Sequence, residues 1–188
     1  MTGGLERHLL SGLRRDLLAQ ARGDVLEVGC GTGRNLPFYM EAKSLTLTEP
    51  DPEMARRARR RLSSVGIPAQ LLEAPAEALP FSDGCFQTVV STLVLCTVKD
   101  PPAALAEIRR VLAPGGRLLI LEHVQATSGF WRVSQDLLAP AWRKLGAGCC
   151  LNRPSLSLIE AAGFVPVVVR AVGEGLLPLR IGRYSAPR

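Results

Sequence analysis

The chain has 188 residues, 47% of them hydrophobic, and a formal net charge of +6. That length and apolar content suit one domain with enough core to fold unaided, and no apolar run reaches the roughly 18–20 residues of a transmembrane helix. Five cysteines (Cys30, Cys85, Cys96, Cys149, Cys150) form no C-x-x-C pair; the odd count suits reduced thiols, no metal-ligand set or signal peptide is read, and a cytoplasmic location is expected.

In chain order, Leu5, Leu9, Leu13 and Leu17 predict an amphipathic helix over 5–20. A first strand is expected at 24–28 and a helix at 33–40, with Pro37 tolerated in its first turn. A second strand follows at 44–49, and Pro50-Asp51-Pro52 starts the next helix. In that helix Met54, Ala58, Leu62 and Val65 make an inner stripe, leaving Arg56, Arg57, Arg59, Arg60 and Arg61 on a solvated face. With no aromatic residues interleaved to stack bases, nucleic acid is not expected as a partner. Further strands are expected at 69–73 and 86–92. Asp100-Pro101-Pro102 caps a helix whose Leu105, Ile108, Val111 and Leu112 face inward and which Pro114-Gly115-Gly116 ends. A strand at 117–122, helices within 131–145 and at 154–162, and strands at 165–170 and 182–186 complete the chain.

This alternation implies an α/β, Rossmann-like, doubly wound and mostly parallel sheet flanked by helices in a single domain. Ligands of such sheets sit beyond the strand C-termini, where Glu27, Glu49, Thr92 and His123 would gather. The most informative stretch is Val25-Leu-Glu-Val-Gly29-Cys30-Gly31-Thr-Gly33-Arg34. A strand dropping into alternating glycines lets backbone approach a ligand closely, and a following helix would add free N–H groups and a positive dipole end. A P-loop is excluded because no Gly-Lys pair occurs. The dinucleotide fingerprint fails because its third glycine falls at 33 and position 34 is Arg34. Glu27 would repel a pyrophosphate but suits a cationic or donor-rich ligand end.

Acid-x-Gly-x-Gly-x-Gly after a strand resembles the nucleotide loop of class I methyltransferases, and the likeness runs over almost the whole chain. It implies a seven-stranded sheet, with residues 1–22 an N-terminal helix or lid and 23–188 the methyltransferase domain. It also implies S-adenosylmethionine as cofactor, leaving S-adenosylhomocysteine as product. Cofactor contacts are expected from Glu27, Gly29, Cys30, Gly31 and Gly33. Glu49, twenty residues past Gly29, would accept from ribose hydroxyls beside Pro50. Glu73-Ala-Pro-Ala-Glu77-Ala-Leu-Pro-Phe81 resembles the adenine loop, with Pro75 where the family usually has Asp, leaving the Ala76 and Glu77 backbone as contacts. Thr92 and Leu93 match pocket-lining positions.

Residues 91–155 resemble more narrowly the alkyl-thiol S-methyltransferases, through Ser91–Lys99, Leu121-Glu122-His123-Val124, Gln135–Leu138, Pro140-Ala141-Trp142, Gly148-Cys149, Asn152-Arg153 and Ser155. The expected activity is in-line methyl transfer to a small-molecule acceptor, a thiol being one candidate. Quinone-precursor and phospholipid-head-group methylation are alternatives, as is a non-catalytic binding module. His123 is either the group that orients or deprotonates the acceptor or a packing histidine. Tyr39, Cys96, Trp131 and Trp142, with Phe38, either line the acceptor pocket or belong to the core. The helix at 5–20 and the tail at 176–188 leave room for peripheral membrane contact.

Overall fold

Runs of Val, Leu, Ile and Thr, which fit a pleated surface covered on both faces, build one seven-stranded sheet. Its strands are β1 (Gly23–Val28), β2 (Ala42–Thr48), β3 (Ala69–Leu72), β4 (Phe86–Thr92), β5 (Leu112–His123), β6 (Val165–Val172) and β7 (Leu179–Ser185), in the order β3-β2-β1-β4-β5-β7-β6. The first five run parallel to one another, while β7 runs antiparallel to both β5 and β6. The computed structural model describes the backbone of residues 2–145 and 148–187 and their side chains except 2–8 and 145; the expectation for the Leu5 side chain lies outside the described residues.

Because side chains alternate across a strand, each central strand feeds two cores. Leu26, Val28, Val89, Leu118 and Ile120 point to one face, where α3 (Pro101–Val111) and α5 (Ser155–Ala161) contribute Leu105, Ile108 and Ile159. Val25, Val90, Leu119 and Leu121 point to the other, covered by Leu17 and Leu18 of α1 (Thr2–Leu18) and Ala58 of α2 (Pro52–Leu62). α4 (Gly129–Leu145) follows β5. The strand order reverses between β1 and β4, so the crevice opens at their C-terminal ends.

The architecture is the one expected; several local readings are not. No α-helix forms over 33–40: turns lead into one short 3-10 segment, Leu36–Phe38, with Pro37 near its start. The side chain of Asn35, fully buried, is hydrogen-bonded inward to Glu27 and Thr92, a local alternative to continuing a helix. α3 ends at Val111, before Pro114-Gly115-Gly116, and Leu112 begins β5; the glycines instead lie where the β4–β5 register shifts. Asp51 caps α2 by accepting from the Glu53 and Met54 N–H groups, and the buried stripe of that helix is Ala55 and Ala58, with Met54 exposed. The arginines of α2 lie on its exposed face. Most of the tail at 176–188 is β7, inside the sheet, which takes in much of the strand expected at 182–186. Among the described residues no helix is long and apolar enough to cross a membrane.

Gly182 lets β6 close on β7. A Cβ there would stand 2.3 Å from the Val168 carbonyl oxygen and 2.8 Å from the Val169 Cα. Backbone cannot yield as a side-chain tip does, so Gly182→Ala is expected to destabilise the chain by about 1–3 kcal/mol. An unchanged urea midpoint would show that β6 is free to shift.

Candidate active site

The glycine loop leaves β1 at Val28 with Gly29, Gly31 and Gly33 all in the left-handed region, φ 58°, 57° and 75°. Two of them are also fixed by packing. A Cβ on Gly29 would meet Val94 at 2.8 Å, and one on Gly33 would meet Leu36 at 2.8 Å and the Ala58 Cα at 3.3 Å. Nothing lies within 4 Å of a Cβ built on Gly31, so here the bare backbone borders open space. The loop is held from below by Cys30 N–H donating to the Thr48 carbonyl at 2.9 Å, and Cys30 itself is buried. Without a following α-helix, a helix dipole contributes nothing at this place; shape and the acids beside it do.

Glu27 ends β1 almost wholly out of water, 1% exposed. Tyr39 donates its hydroxyl to one carboxylate oxygen at 2.7 Å, and Asn35 donates Nδ2 to the other at 2.8 Å. Asn35 Nδ2 also reaches Thr92 Oγ1 at 2.9 Å, while its Oδ1 accepts from the Arg14 guanidinium on α1. Burial raises the Glu27 carboxyl to about 7 against the opposing pull of these two hydrogen bonds and of Arg14. The same burial lowers Arg14 and raises Tyr39. The sequence reading missed Asn35 and Arg14. The polar residue behind the last glycine was a signal for Asn35, whereas Arg14 is brought in only by the docking of α1.

Glu49, one residue beyond β2, is buried and accepts from Gly31 N–H at 2.7 Å and Asp51 N–H at 3.0 Å. Its second acid thus stands directly against the open glycine. Pro50 beside it is exposed. The 73–81 loop places Ala76 in the core and Glu77 half-buried, with Pro75 outward. The Glu77 side chain accepts from the Lys99 and Asp100 N–H groups at 2.9 and 3.3 Å, tying this loop to the start of α3. Arg110 of α3 fastens the loop's far end through the Leu79 and Phe81 carbonyls.

At the ends of β4 and β5 the backbone is strained and then clamped. Leu93 has φ 60°, the one positive φ outside glycine among the described residues, and donates its N–H to the Leu121 carbonyl at 2.8 Å. Glu122, fully buried, accepts from Ser91 Oγ at 2.7 Å and from the Val94 and Leu95 N–H groups at 3.0 and 3.1 Å, all through Oε1. Oε2 has no partner, and burial raises this carboxyl above its ordinary range. Glu122 therefore sets the loop that carries Cys96, a role unread in the sequence.

His123, half-buried at the last position of β5, lies with Nδ1 3.6 Å from Sγ of Cys149. Cys96 and Cys149 are both buried and interact sulfur to sulfur, which holds the Cys149 thiol low and Cys96 high; His123 further lowers Cys149. The buried indole N–H of Trp142 faces Cys149 and contributes to holding its thiol low. Of the expected acceptor-pocket residues, Cys96 and Trp142 thus join His123. Tyr39 instead sits with Glu27, Phe38 packs against the core on that side, and Trp131 is partly exposed near the start of α4, edge-on to Phe130. A separate groove of about 490 Å³ between α3 and α5, lined by Pro102, Arg109 and Leu158, offers no acid or thiol.

A family model described as a methyltransferase domain matches residues 26–120. The chain is 36% identical to the human thiol S-methyltransferase TMT1B over 181 residues, 90% of this chain and 74% of that protein. It is 30% identical to the ubiquinone/menaquinone biosynthesis C-methyltransferase UbiE of Cupriavidus taiwanensis over 182 residues, 85% of this chain and 74% of that one. The fold matches the crystal structure of the N-methyltransferase NodS from Bradyrhizobium japonicum with a TM-score of 0.72 at 17% identity, covering 100% of this chain and 99% of that one. The matched region begins inside β1, crosses the glycine loop and both acids, and ends in β5. The chain belongs to the class I S-adenosylmethionine-dependent methyltransferases.

Proposed function

We propose that this methyltransferase transfers the methyl group to the sulfur of a small thiol. The similarity to TMT1B over 90% of the chain carries this reading. The chemistry at the ends of β4 and β5 supports it. Glu122 is turned into its own loop and gives the acceptor no base, and a thiol with a pKa of about 8.5 is a few per cent thiolate near neutrality without one. His123 is the group placed to orient or deprotonate the acceptor. A phenol or carbon acid asks for more.

The residues present fit the methyl donor. Glu27, sealed and backed by Tyr39 and Asn35, suits the ammonium end; Gly29, Cys30, Gly31 and Gly33 give the backbone cradle. Glu49 suits the ribose hydroxyls beside Pro50, Ala76 and Glu77 the adenine edge, and Thr92 and Leu93 the wall between donor and acceptor. When bound, S-adenosylmethionine supplies a methyl group already activated by its sulfonium, so no enzyme nucleophile is needed. What the chain contributes is placement: holding an acceptor about 3–3.5 Å from the transferred carbon in a dry site is worth roughly 7–11 kcal/mol. Residues 1–22 act as a lid over the domain formed by 23–188, since Arg14 reaches from α1 onto Asn35 above Glu27.

Methyl incorporation from labelled donor is expected on a short alkyl thiol and not on a quinol precursor or a phospholipid head group. Turnover of the quinol alone would favour the reading that UbiE suggests; no turnover on any acceptor would favour a binding module. Glu49→Ala is expected to weaken donor binding by about 1–3 kcal/mol, the cost of leaving ribose hydroxyls unpaired, and equal calorimetric affinities would remove Glu49 from the site.

Glu27 titrates near 7 when folded and near 4.5 when unfolded. Between these values the unfolded chain holds fewer protons, so stability falls as pH rises through the window, by on the order of 3 kcal/mol in total. Glu27→Gln should abolish that decline in urea melts without donor. A ligand ammonium opposite Glu27 favours its ionised form, so donor affinity of the unaltered chain should rise with pH up to about 7. Parallel pH profiles for the two proteins would refute the assignment.

A further inference from the structure

Cys96, His123 and Cys149 come from three separate segments, the loop after β4, the last residue of β5 and the stretch after α4. One ligand atom from each lies within 4.8 Å of the other two, and both cysteines are buried. The Nδ1–Sγ separation of His123 and Cys149 is 3.6 Å. A tetrahedral zinc ion with Zn–S about 2.3 Å and Zn–N about 2.0–2.1 Å places sulfur and nitrogen about 3.5–3.6 Å apart, and two sulfurs about 3.8 Å apart. The His123–Cys149 separation therefore matches the edge such an ion requires, and Cys96 closes the triangle within 4.8 Å of both.

The scaffold around them is fixed by bonds that do not involve the three side chains. Cys150 N–H donates to the Cys96 carbonyl at 2.8 Å, and Arg153 Nη1 donates to the Leu95 and Val98 carbonyls at 2.6 and 2.8 Å. These bonds bind the segment after α4 to the loop that carries Cys96. Ser155 Oγ reaches the His123 carbonyl at 3.4 Å. Two soft thiolates and one imidazole select Zn²⁺ over the hard cations Mg²⁺ and Ca²⁺.

We propose that Cys96, His123 and Cys149 form a binding site for one Zn²⁺ ion at the C-terminal ends of β4 and β5. Binding displaces the two thiol protons to solvent, leaving a neutral bis-thiolate centre with one position open. Three protein ligands and one open position are the pattern of a zinc that works on a substrate rather than one that only staples a fold. Resting on the thiol reading of the acceptor, the open position takes the acceptor's sulfur, which enters as thiolate and gives its proton to solvent. His123 then acts on the acceptor through the ion and not as a base.

The test uses the full chain, reduced with a non-coordinating phosphine and dialysed with Zn²⁺ or with Co²⁺ as an optical probe, without methyl donor. One ion per chain is expected, with thiolate-to-cobalt charge transfer and the intense visible bands of tetrahedral Co²⁺. Cys96→Ser and Cys149→Ser should lose both, while the exposed Cys85→Ser should keep them. His123→Gln, at the half-exposed ligand, should weaken binding about tenfold or more even where the buried serines impair folding. No stoichiometric ion in the unaltered chain, or undiminished binding in His123→Gln, overturns the site. Adding a short alkyl thiol should shift the charge-transfer band, and an unmoved band overturns the acceptor's place on the ion. A bound ion in a chain that methylates no thiol would sink the thiol reading and leave the site; thiol methylation by a chain that binds no ion would do the reverse.

Discussion

A carboxylate with almost no access to water is costly unless the protein supplies donors for it, and Glu27 is the point on which this site turns. Its two oxygens are taken by Tyr39 and Asn35, and Asn35 in turn reaches Thr92 and receives Arg14. One acid thereby couples the end of β1, the turn after the glycines, the end of β4 and the N-terminal helix. The glycine loop follows from that arrangement: Asn35 turned inward leaves room for only a short 3-10 segment, and the loop relies on backbone shape instead of a helix dipole. Burial raises the carboxyl to about 7 against the pull of these donors and of Arg14.

Glu122 offers the contrast. It too is a buried acid at the C-terminal end of a central strand, but its Oε1 is used up by Ser91 and the backbone of the loop it supports. The strained Leu93 sits between β4 and that loop, held by Leu121 from one side and next to residues held by Glu122 on the other. Strain of this kind persists where the surroundings over-determine it, and here it marks the junction between the end of β4 and the loop that carries Cys96. Two similar carboxylates thus have different work: one is held by side chains from the turn after the glycines, the other by the backbone of the loop that it supports.

The layout was legible because it rests on local patterns. Strand periodicity, the Pro-capped starts of α2 and α3, the spacing of the three glycines and the distance to Glu49 all survive in a linear reading. The helix over 33–40 did not, because a buried side-chain amide outweighed a short stretch of helical promise. Arg14 and the approach of Cys149 to Cys96 and His123 were invisible for another reason: each depends on elements remote in sequence being docked, and no spacing rule encodes that. Tyr39, read as either a pocket aromatic or core, is core, and its hydroxyl bond to Glu27 went unread because the ring was counted and the hydroxyl was not. The last strand was legible in part: a strand was expected at 182–186, and β7 begins earlier, at Leu179.

The position of β7 bears on how the molecule is made. β5 borders β4 on one side and β7 on the other, and β6 has no sheet neighbour except β7. During synthesis β1 to β5 can assemble while the flank of β5 stays bare, and β6 emerges with nothing to pair with. The ribosome must release Ser185 before either edge is satisfied. Until then the nascent chain presents an unpaired, apolar strand edge of the kind that captures other chains. Closure of the sheet therefore waits on β7, and a truncation that removed only that strand would expose two edges at once.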